Sequence, residues 1–226
     1  SESTWQYASS IQIIAVIAAL LHDIGKATLG FQDKLSPTSK FRYGDPYRHE
    51  WISMRLFQAM IEGCESDQEW LTRLIHFSEF MQANPSWQEK MGNDTVNMNT
   101  DAVNMDAHKL SNLPPLAQTI CWLIVSHHRL PFYELNYQKA STRKAAQSDQ
   151  DYLCRDVAEL YEDLRPVNSW VRNPKSCEAY ADDASDFWTF KALPMHSKVW
   201  QKNMARWAKK ALNHAPLMSL ALKTIS

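Results

Sequence analysis

Apolar residues recur at helical spacing along much of this chain, and that period limits the fold more than any other feature of the sequence. In the stretch His49–Ile61 they recur every three or four residues, as on the buried face of a helix. The 226 residues include nine tryptophans but only five glycines, too few for the many tight turns of a β-sandwich or barrel. Because 45% of the residues are hydrophobic, the chain can bury a sizeable core. We therefore predict an all-α fold.

The same pattern predicts where the other helices lie. Trp5–Leu21 is apolar on nearly all sides, which is typical of a central helix. The other predicted helices are Ala27–Leu35, Asp67–Met81, Leu116–Arg129, Lys139–Leu164 and Val199–Leu212. Ser36–Tyr47 and Arg165–Asp183 are predicted loops. Residues 82–114 are rich in Asn and Asp and lack a clear period, so we predict a long surface insertion there.

Charge, cysteine content and missing motifs narrow the function. The net charge is −1, so any binding of nucleic acid must come from a local patch. The four cysteines are too far apart for CxxC or zinc-ribbon pairs, as expected for reduced thiols in a cytoplasmic protein. The apolar run Ile11–Leu21 is about half the roughly 20 residues that span a bilayer, so no membrane partner is expected. No phosphate-binding loop, dinucleotide fingerprint or serine-hydrolase elbow occurs.

Possible metal ligands lie at the ends of three predicted helices. The first helix runs directly into His22 and Asp23, and His49 continues the apolar stripe at the start of its own helix. Near the end of the helix predicted over 116–129, His127 and His128 continue two apolar stripes. Imidazoles suit Mn, Fe, Co, Ni and Zn, and a carboxylate can bridge two ions. Two metals about 3.5–4 Å apart can bind a phosphodiester and activate a water molecule. The sequence therefore predicts a site for divalent metals.

Each of these residues also has an ordinary structural explanation. A single inward histidine such as His49 is more often a hydrogen-bonded core residue than a ligand. Two adjacent histidines can cap the C-terminus of a helix, where a cation is favoured. Five such residues at predicted inner positions are harder to explain as separate accidents. The remaining histidines fit no shared site: His76, His108, His196 and His214.

Two basic features have alternative interpretations. Lys26 lies about one helical turn after His22, where it could meet a substrate phosphate or remain an ordinary solvated lysine. The basic stretch Lys198–Lys210 could line a path for a single strand, with Trp200 and Trp207 as stacking platforms. An amphipathic helix that packs these tryptophans inward is the favoured interpretation.

Three segments carry a resemblance to a known family. At His22-Asp23-Ile24-Gly25-Lys26 the chain resembles the HD superfamily of metal-dependent phosphohydrolases. Residues 20–35, 47–53 and 125–131 are similar to the HD nuclease domain of the CRISPR-associated helicase–nuclease of type I systems. The Arg-His-Glu and His-His-Arg sequences within them lean toward subtype I-F.

The resemblance implies a fold and a function. Residues 1–226 would form a single HD-domain helical bundle that is part of a longer protein and degrades single-stranded DNA in antiviral defence. The implied cofactors are divalent ions (Mn, Ni, Co, Fe or Mg), two per site in the complete protein. The implied partners are single-stranded DNA, a helicase module on the same or a separate chain, and an RNA-guided surveillance complex.

The resemblance also implies roles for individual residues. It makes His22 and Asp23 metal ligands, with Asp23 as the bridge between two ions. It assigns His49, His127 and His128 to the shell of the second metal. It also places Lys26 near the scissile phosphate as a catalytic residue.

Two departures from the family pattern affect the first metal. The family usually adds a histidine upstream of the His-Asp pair, and none precedes His22 here. It also adds a later aspartate, for which Asp182, Asp183 and Asp186 are candidates, or a residue beyond Ser226. Two alternatives therefore stay open: an HD phosphohydrolase that acts on small nucleotides, and a non-catalytic fragment that docks onto partner proteins.

Overall fold

A computed structural model of the protein describes residues 7–39, 47–91, 110–128 and 185–223. These ranges are helical and contain no β-strand, which confirms the all-α prediction. The α-helices are α1 (Ala8–Leu21), α2 (Leu29–Lys34), α3 (His49–Ile61), α4 (Asp67–Ile75), α5 (Phe77–Ala83), α6 (Pro115–Ser126), α7 (Lys198–Leu212) and α8 (Ala215–Lys223). Short 3-10 turns are Ile24–Ala27, Trp87–Met91, Leu110–Asn112, Ser185–Phe187 and Pro194–His196.

Helix α3 is the centre of the fold. Twelve of its 13 residues are buried, with α1, α6 and the turns Ile24–Ala27 and Trp87–Met91 packed around it. The sequence placed α1 at the centre because that helix is apolar on nearly all sides. In the structure α1 buries only one side, and Ile11 on the other is 45% exposed. An apolar composition therefore did not identify the central helix, whereas the periodic pattern of α3 predicted its bounds correctly.

The segment from α1 into the following turn, Ala8–Ala27, is 20 residues long with a mean hydropathy of 1.6. By length and composition alone it could cross a membrane, which the shorter apolar run counted in the sequence did not suggest. A buried helix of a water-soluble core passes the same test. Here the inner side of α1 packs against α3, α6 and α7, where Ile17 and Leu21 are fully buried.

Helix α7 packs its tryptophans inward, as favoured from the sequence. Trp200 and Trp207 are each 8% exposed, in the layer where α7 meets α1 and α4. The indole nitrogen of Trp200 donates a hydrogen bond to the carbonyl of Leu20, 2.9 Å away, near the end of α1. The ammonium of Lys210 lies 4.1 Å from the ring centre of Trp207. Because the rings are buried and engaged, the alternative of tryptophan stacking platforms is wrong.

Two further regions differ from the predicted boundaries. The helix predicted over Asp67–Met81 is divided at His76, whose backbone (φ −110°, ψ 34°) ends α4 before α5 begins. In the predicted insertion 82–114, the described ends carry the buried side chains of Trp87, Met91 and Leu110. Both ends are therefore anchored in the core. Residues 92–109, the predicted helix 139–164 and the predicted loop 165–183 lie outside the described residues.

Candidate metal centre

Four of the predicted ligands converge where three helices meet. One ligand atom each from Asp23, His49, His127 and His128 lies within 4.8 Å of the other three. Asp23 follows α1, His49 is the first residue of α3, and the two adjacent histidines follow the last residue of α6. His22 borders this group, with its Nε2 atom 3.2 Å from Oδ2 of Asp23. The predicted residues therefore lie at one site, although 105 positions separate Asp23 from His128 in the sequence.

A glycine brings the ends of α1 and α3 together. The backbone N–H of Gly25 donates to Oγ of Ser53 at 2.8 Å, and both groups are buried. A Cβ atom at position 25 would lie 2.2 Å from the carbonyl oxygen of His49, closer than real Cβ contacts allow. Only glycine permits this approach, which leaves Oδ1 of Asp23 3.3 Å from Nε2 of His49.

Two histidines are oriented by backbone carbonyls. Nδ1 of His22 lies 2.7 Å from the carbonyl oxygen of Ala19, and Nδ1 of His127 lies 2.6 Å from that of Ile124. Because a carbonyl oxygen only accepts, each Nδ1 carries a proton, which in the neutral ring leaves the lone pair on Nε2. In metal-bound histidines, one ring nitrogen usually donates a hydrogen bond to the protein while the other binds the metal.

The free nitrogens fit a cation. Nε2 of His127 is buried without a hydrogen-bond partner among the described residues, 3.6 Å from Oδ1 of Asp23. Nε2 of His128 lies 3.1 Å from Nε2 of His49, and two lone pairs at that distance need a proton or a cation between them. Neutral imidazoles with a carboxylate are ligands that first-row divalent metals prefer. The residues present therefore fit the metal ions that the resemblance implies.

Loss of solvent contact favours the neutral form of two of the imidazoles, those of His49 and His128. It lowers the pKa of His49 to about 4, an effect that the nearby carboxylates of Glu50 and Asp23 only partly offset. The pKa of His128 is also lowered, first by burial and then by the neighbouring His127. A neutral imidazole at pH 7 has its lone pair available, and ligation requires that form.

Asp23 stays ionised beside a lysine. Burial alone would raise its pKa, but the hydrogen bond from Lys26 and the nearby charges lower it overall. Nζ of Lys26 lies 2.8 Å from Oδ1 of Asp23, so this lysine is at the site, as the sequence suggested. Asp23 and Lys26 are 38% and 35% exposed in their side chains, so the site opens to solvent on this side of the described structure.

The sequence did not assign a role to Glu50, although it lies within the Arg-His-Glu sequence. Its side chain is fully buried beside His49, and it pairs with Arg48, whose Nη2 lies 2.6 Å from Oε1. Burial would raise the pKa of Glu50, but the hydrogen bonds from Arg48 and from the backbone hold it below its usual value. A fully buried carboxylate is rare unless it is paired. The burial of Glu50 would therefore have drawn attention to it, but the sequence does not show that this position is buried.

Of the other acidic and histidine candidates, those that the structure describes do not join this group. Asp186 is exposed on the turn Ser185–Phe187, outside the cluster that the described residues form. Asp182 and Asp183 lie outside the described residues, as does His108. The remaining histidines in the described ranges, His76, His196 and His214, are also outside the cluster.

A family model and two related proteins indicate the same family for this chain. The family model described as Cas3, HD domain, matches residues 4–215. A CRISPR-associated nuclease/helicase Cas3 of subtype I-F/YPEST from Pectobacterium atrosepticum is 34% identical over 213 residues, which cover 93% of this chain and 18% of that protein. A protein of the same description from Pseudomonas aeruginosa is 42% identical over 130 residues, 58% of this chain and 11% of that protein. The matched part is thus under a fifth of the length of either relative.

Proposed function

Since the chain belongs to the Cas3 HD-domain family, we propose that it is a metal-dependent nuclease domain that hydrolyses phosphodiester bonds of single-stranded DNA. The resemblance to type I CRISPR-associated HD nucleases of subtype I-F, read from three segments of the sequence, is confirmed. The proposed setting is CRISPR interference against invading DNA. The observation that carries the proposal is the convergence of Asp23, His49, His127 and His128, in which the buried Nε2 of His127 has no hydrogen-bond partner among the described residues.

In this proposal five residues hold the divalent ions. His22, His49, His127 and His128 would hold the ions through imidazole nitrogens, and Asp23 would hold them through its carboxylate. When bound, the ions supply an activated water and offset the charge that develops on the phosphate oxygens. Candidate ions are Mn, Ni, Co, Fe or Mg, two per site in the complete protein.

The protein's own groups position the substrate. Lys26 is three residues from Asp23, and its ammonium is partly exposed at the open side of the site. There it can bind a non-bridging phosphate oxygen as a point charge and hold the scissile group beside Asp23. In this proposal the ammonium of Lys26 and the bound ions supply positive charge for binding the strand.

An open site suits a long strand. In the part of the chain that the structure describes, the exposure of Asp23 and Lys26 supports a centre that a polymer could reach without threading its end, whereas an enzyme for small nucleotides needs a closed pocket. The proposed partners are therefore single-stranded DNA, a helicase module like that in the names of the relatives, and an RNA-guided surveillance complex. The proposed location is the cytoplasm, without a membrane partner.

The first test is metal binding. Manganese is titrated by calorimetry into the metal-stripped chain and into Asp23→Ala and His128→Ala, with His196→Ala as a matched histidine control away from the cluster. We expect binding by the parent and the control, and its loss in both site variants. A folded parent that binds no manganese would overturn the catalytic proposal and favour the docking fragment.

The second test is cleavage. Manganese-loaded protein is incubated with circular single-stranded DNA and, separately, with mononucleotides. We expect the circle to be nicked and then degraded, with Asp23→Ala inactive. Hydrolysis of mononucleotides without cleavage of the circle would instead assign the chain to nucleotide phosphohydrolases.

A further inference from the structure

We propose that Glu50 is a positioning residue that holds His49 with its Nε2 lone pair toward the metal centre. The proposal rests on the proposed function, because it takes His49 as a metal ligand. It concerns the carboxylate that lies behind the ligand rather than any atom that touches the metal or the substrate. Glu50 would therefore determine which nitrogen of the His49 ring carries the proton.

The two oxygens of Glu50 face different partners. Oε1 accepts hydrogen bonds from Nε and Nη2 of Arg48 at 3.0 and 2.6 Å. Oε2 is buried without a hydrogen-bond partner among the described residues, and Nδ1 of His49 lies 3.3 Å from it. A proton on Nδ1 would turn this contact into a charge-assisted hydrogen bond. Arg48 thus occupies one oxygen and leaves the other for His49.

The position of His49 in its helix explains why a side chain does this. His22 and His127 lie at the ends of α1 and α6, where each Nδ1 reaches a carbonyl of the preceding helical turn. His49 is instead the first residue of α3, and Arg48 before it is extended (φ −70°, ψ 146°), so no preceding helical turn exists. Glu50 supplies the acceptor that the backbone supplies elsewhere.

The consequence for the site is a fixed lone pair. With its proton on Nδ1, His49 presents an unprotonated Nε2, which lies 3.3 Å from Oδ1 of Asp23 and 3.1 Å from Nε2 of His128. With its proton on Nε2, the same ring could not bind a metal without changing tautomer. The buried carboxylate therefore prepares the ligand before any ion arrives.

The decisive variant is Glu50→Gln. Arg48 can only donate, so the amide oxygen of the new side chain turns to Arg48 and the amide NH₂ faces Nδ1 of His49. Nδ1 must then accept, which moves the proton to Nε2. We expect a loss of manganese affinity of about 10- to 100-fold by calorimetry, the range for such supporting carboxylates. Glu79→Gln, on the exposed face of α5, is the matched control and should bind manganese like the parent.

A double variant separates positioning from a merely structural role. In Arg48→Met/Glu50→Gln the amide oxygen is released from Arg48 and can accept from Nδ1 of His49. We expect manganese affinity to recover toward that of the parent, although one buried and one partly exposed polar group have been changed. If Glu50 only stabilised the fold, the two substitutions would weaken binding further rather than restore it.

The tautomer is read directly by ¹⁵N NMR of the metal-free protein. We expect His49 to carry its proton on Nδ1 in the parent and on Nε2 in Glu50→Gln. A parent with the proton on Nε2, or a folded Glu50→Gln with unchanged tautomer and manganese affinity, would overturn the proposal. If Glu50→Gln does not fold, the parent spectrum still decides. If the parent binds no manganese, the proposed function fails, while the spectrum reports separately whether Glu50 orients His49.

Discussion

The burial of His49 gives the metal-free protein a specific dependence on pH. Its pKa is about 4 in the folded protein and 6.5 in the unfolded chain, so between these values the unfolded state binds more protons. The free energy of unfolding should therefore fall as the pH is lowered from 6.5 to 4. The expected contribution of this group is up to about 3 kcal/mol.

Urea unfolding of the metal-free protein at steps across this range measures the effect. In His49→Gln the contribution of His49 to the pH dependence of the unfolding free energy should disappear. Asp23 and Glu50 also have lowered pKa values, so both proteins should still lose stability at the acid end of the range. Equal slopes for parent and variant between pH 5 and 6.5 would contradict the assignment.

A methyl group at position 25 should separate the parts of the site. In Gly25→Ala the added Cβ would lie 2.2 Å from the carbonyl oxygen of His49, so the turn Ile24–Ala27 must move away from α3. We expect a destabilisation of about 1–3 kcal/mol, as for overpacked cores, and a weaker affinity for manganese. Thermal unfolding and calorimetry measure the two effects. The control Gly63→Ala meets no atom but has a positive φ of 75°, so it should cost stability without affecting metal binding.

At this scale the sequence predicted ligands better than their supports. His49 and His127 could be identified because they continue apolar stripes, and such stripes report which face of a helix is inward. His128 also continues a stripe, but it is exposed and joins the cluster through the 3.1 Å contact between its Nε2 and that of His49. Glu50 could not be identified, because an acidic residue in the first helical turn is fully explained by the helix dipole. Nothing in the spacing shows that this carboxylate is buried against a histidine.

At the scale of elements, a residue of α4 caps the N-terminus of α6. Pro114 and Pro115 open α6 but offer no capping side chain. The cap comes from Asp67 in α4, whose oxygens accept from the backbone N–H groups of Leu116 and Ala117 at 3.0 and 3.2 Å. The same carboxylate accepts from the indole of Trp70 at 2.6 Å. Asp67 therefore ties α4 to the helix whose far end carries two of the proposed ligands.

Asp67→Ala should lower the free energy of unfolding by about 3 kcal/mol, because it leaves buried donors of α6 and of Trp70 without an acceptor. Asp67→Asn keeps one acceptor oxygen and should lose less. Urea unfolding with circular dichroism compares both with the parent. A loss below about 1 kcal/mol for Asp67→Ala would show that α6 does not depend on this cap.

The helices themselves were largely predictable, and their mutual contacts were not. The prolines and the apolar period predicted α6 to within a few residues, because propensity and pattern act locally. The cap from Asp67 is 49 residues away from Leu116 in the sequence, and no local signal relates the two. The break at His76 was also missed, since the apolar pattern continues from α4 into α5.

At the scale of the whole molecule, a metal should act as a cross-link. The proposed ligands follow α1, begin α3 and follow α6, so an ion bound to them favours the folded arrangement of all three helices. Manganese at 100 times its dissociation constant should add about 2.7 kcal/mol to the free energy of unfolding. Urea unfolding with manganese or with a chelator measures this gain.

The control for this prediction is Asp23→Ala, which should unfold at the same urea concentration with and without manganese. Magnesium and calcium, which prefer oxygen ligands, should stabilise the parent less than manganese at equal concentration. Stabilisation of the variant equal to that of the parent would place the ion elsewhere on the protein.

The long separation between the ligands has a consequence for the living cell. A chain emerging from the ribosome presents Asp23 and His49 early, but His127 and His128 follow only after α6 has been made, and α6 needs Asp67 to hold its first turn. On the proposed function, the nascent chain therefore has no complete centre until His128 has been made and α6 has docked on α4. A nascent chain that stalls before that point would lack the proposed nuclease activity.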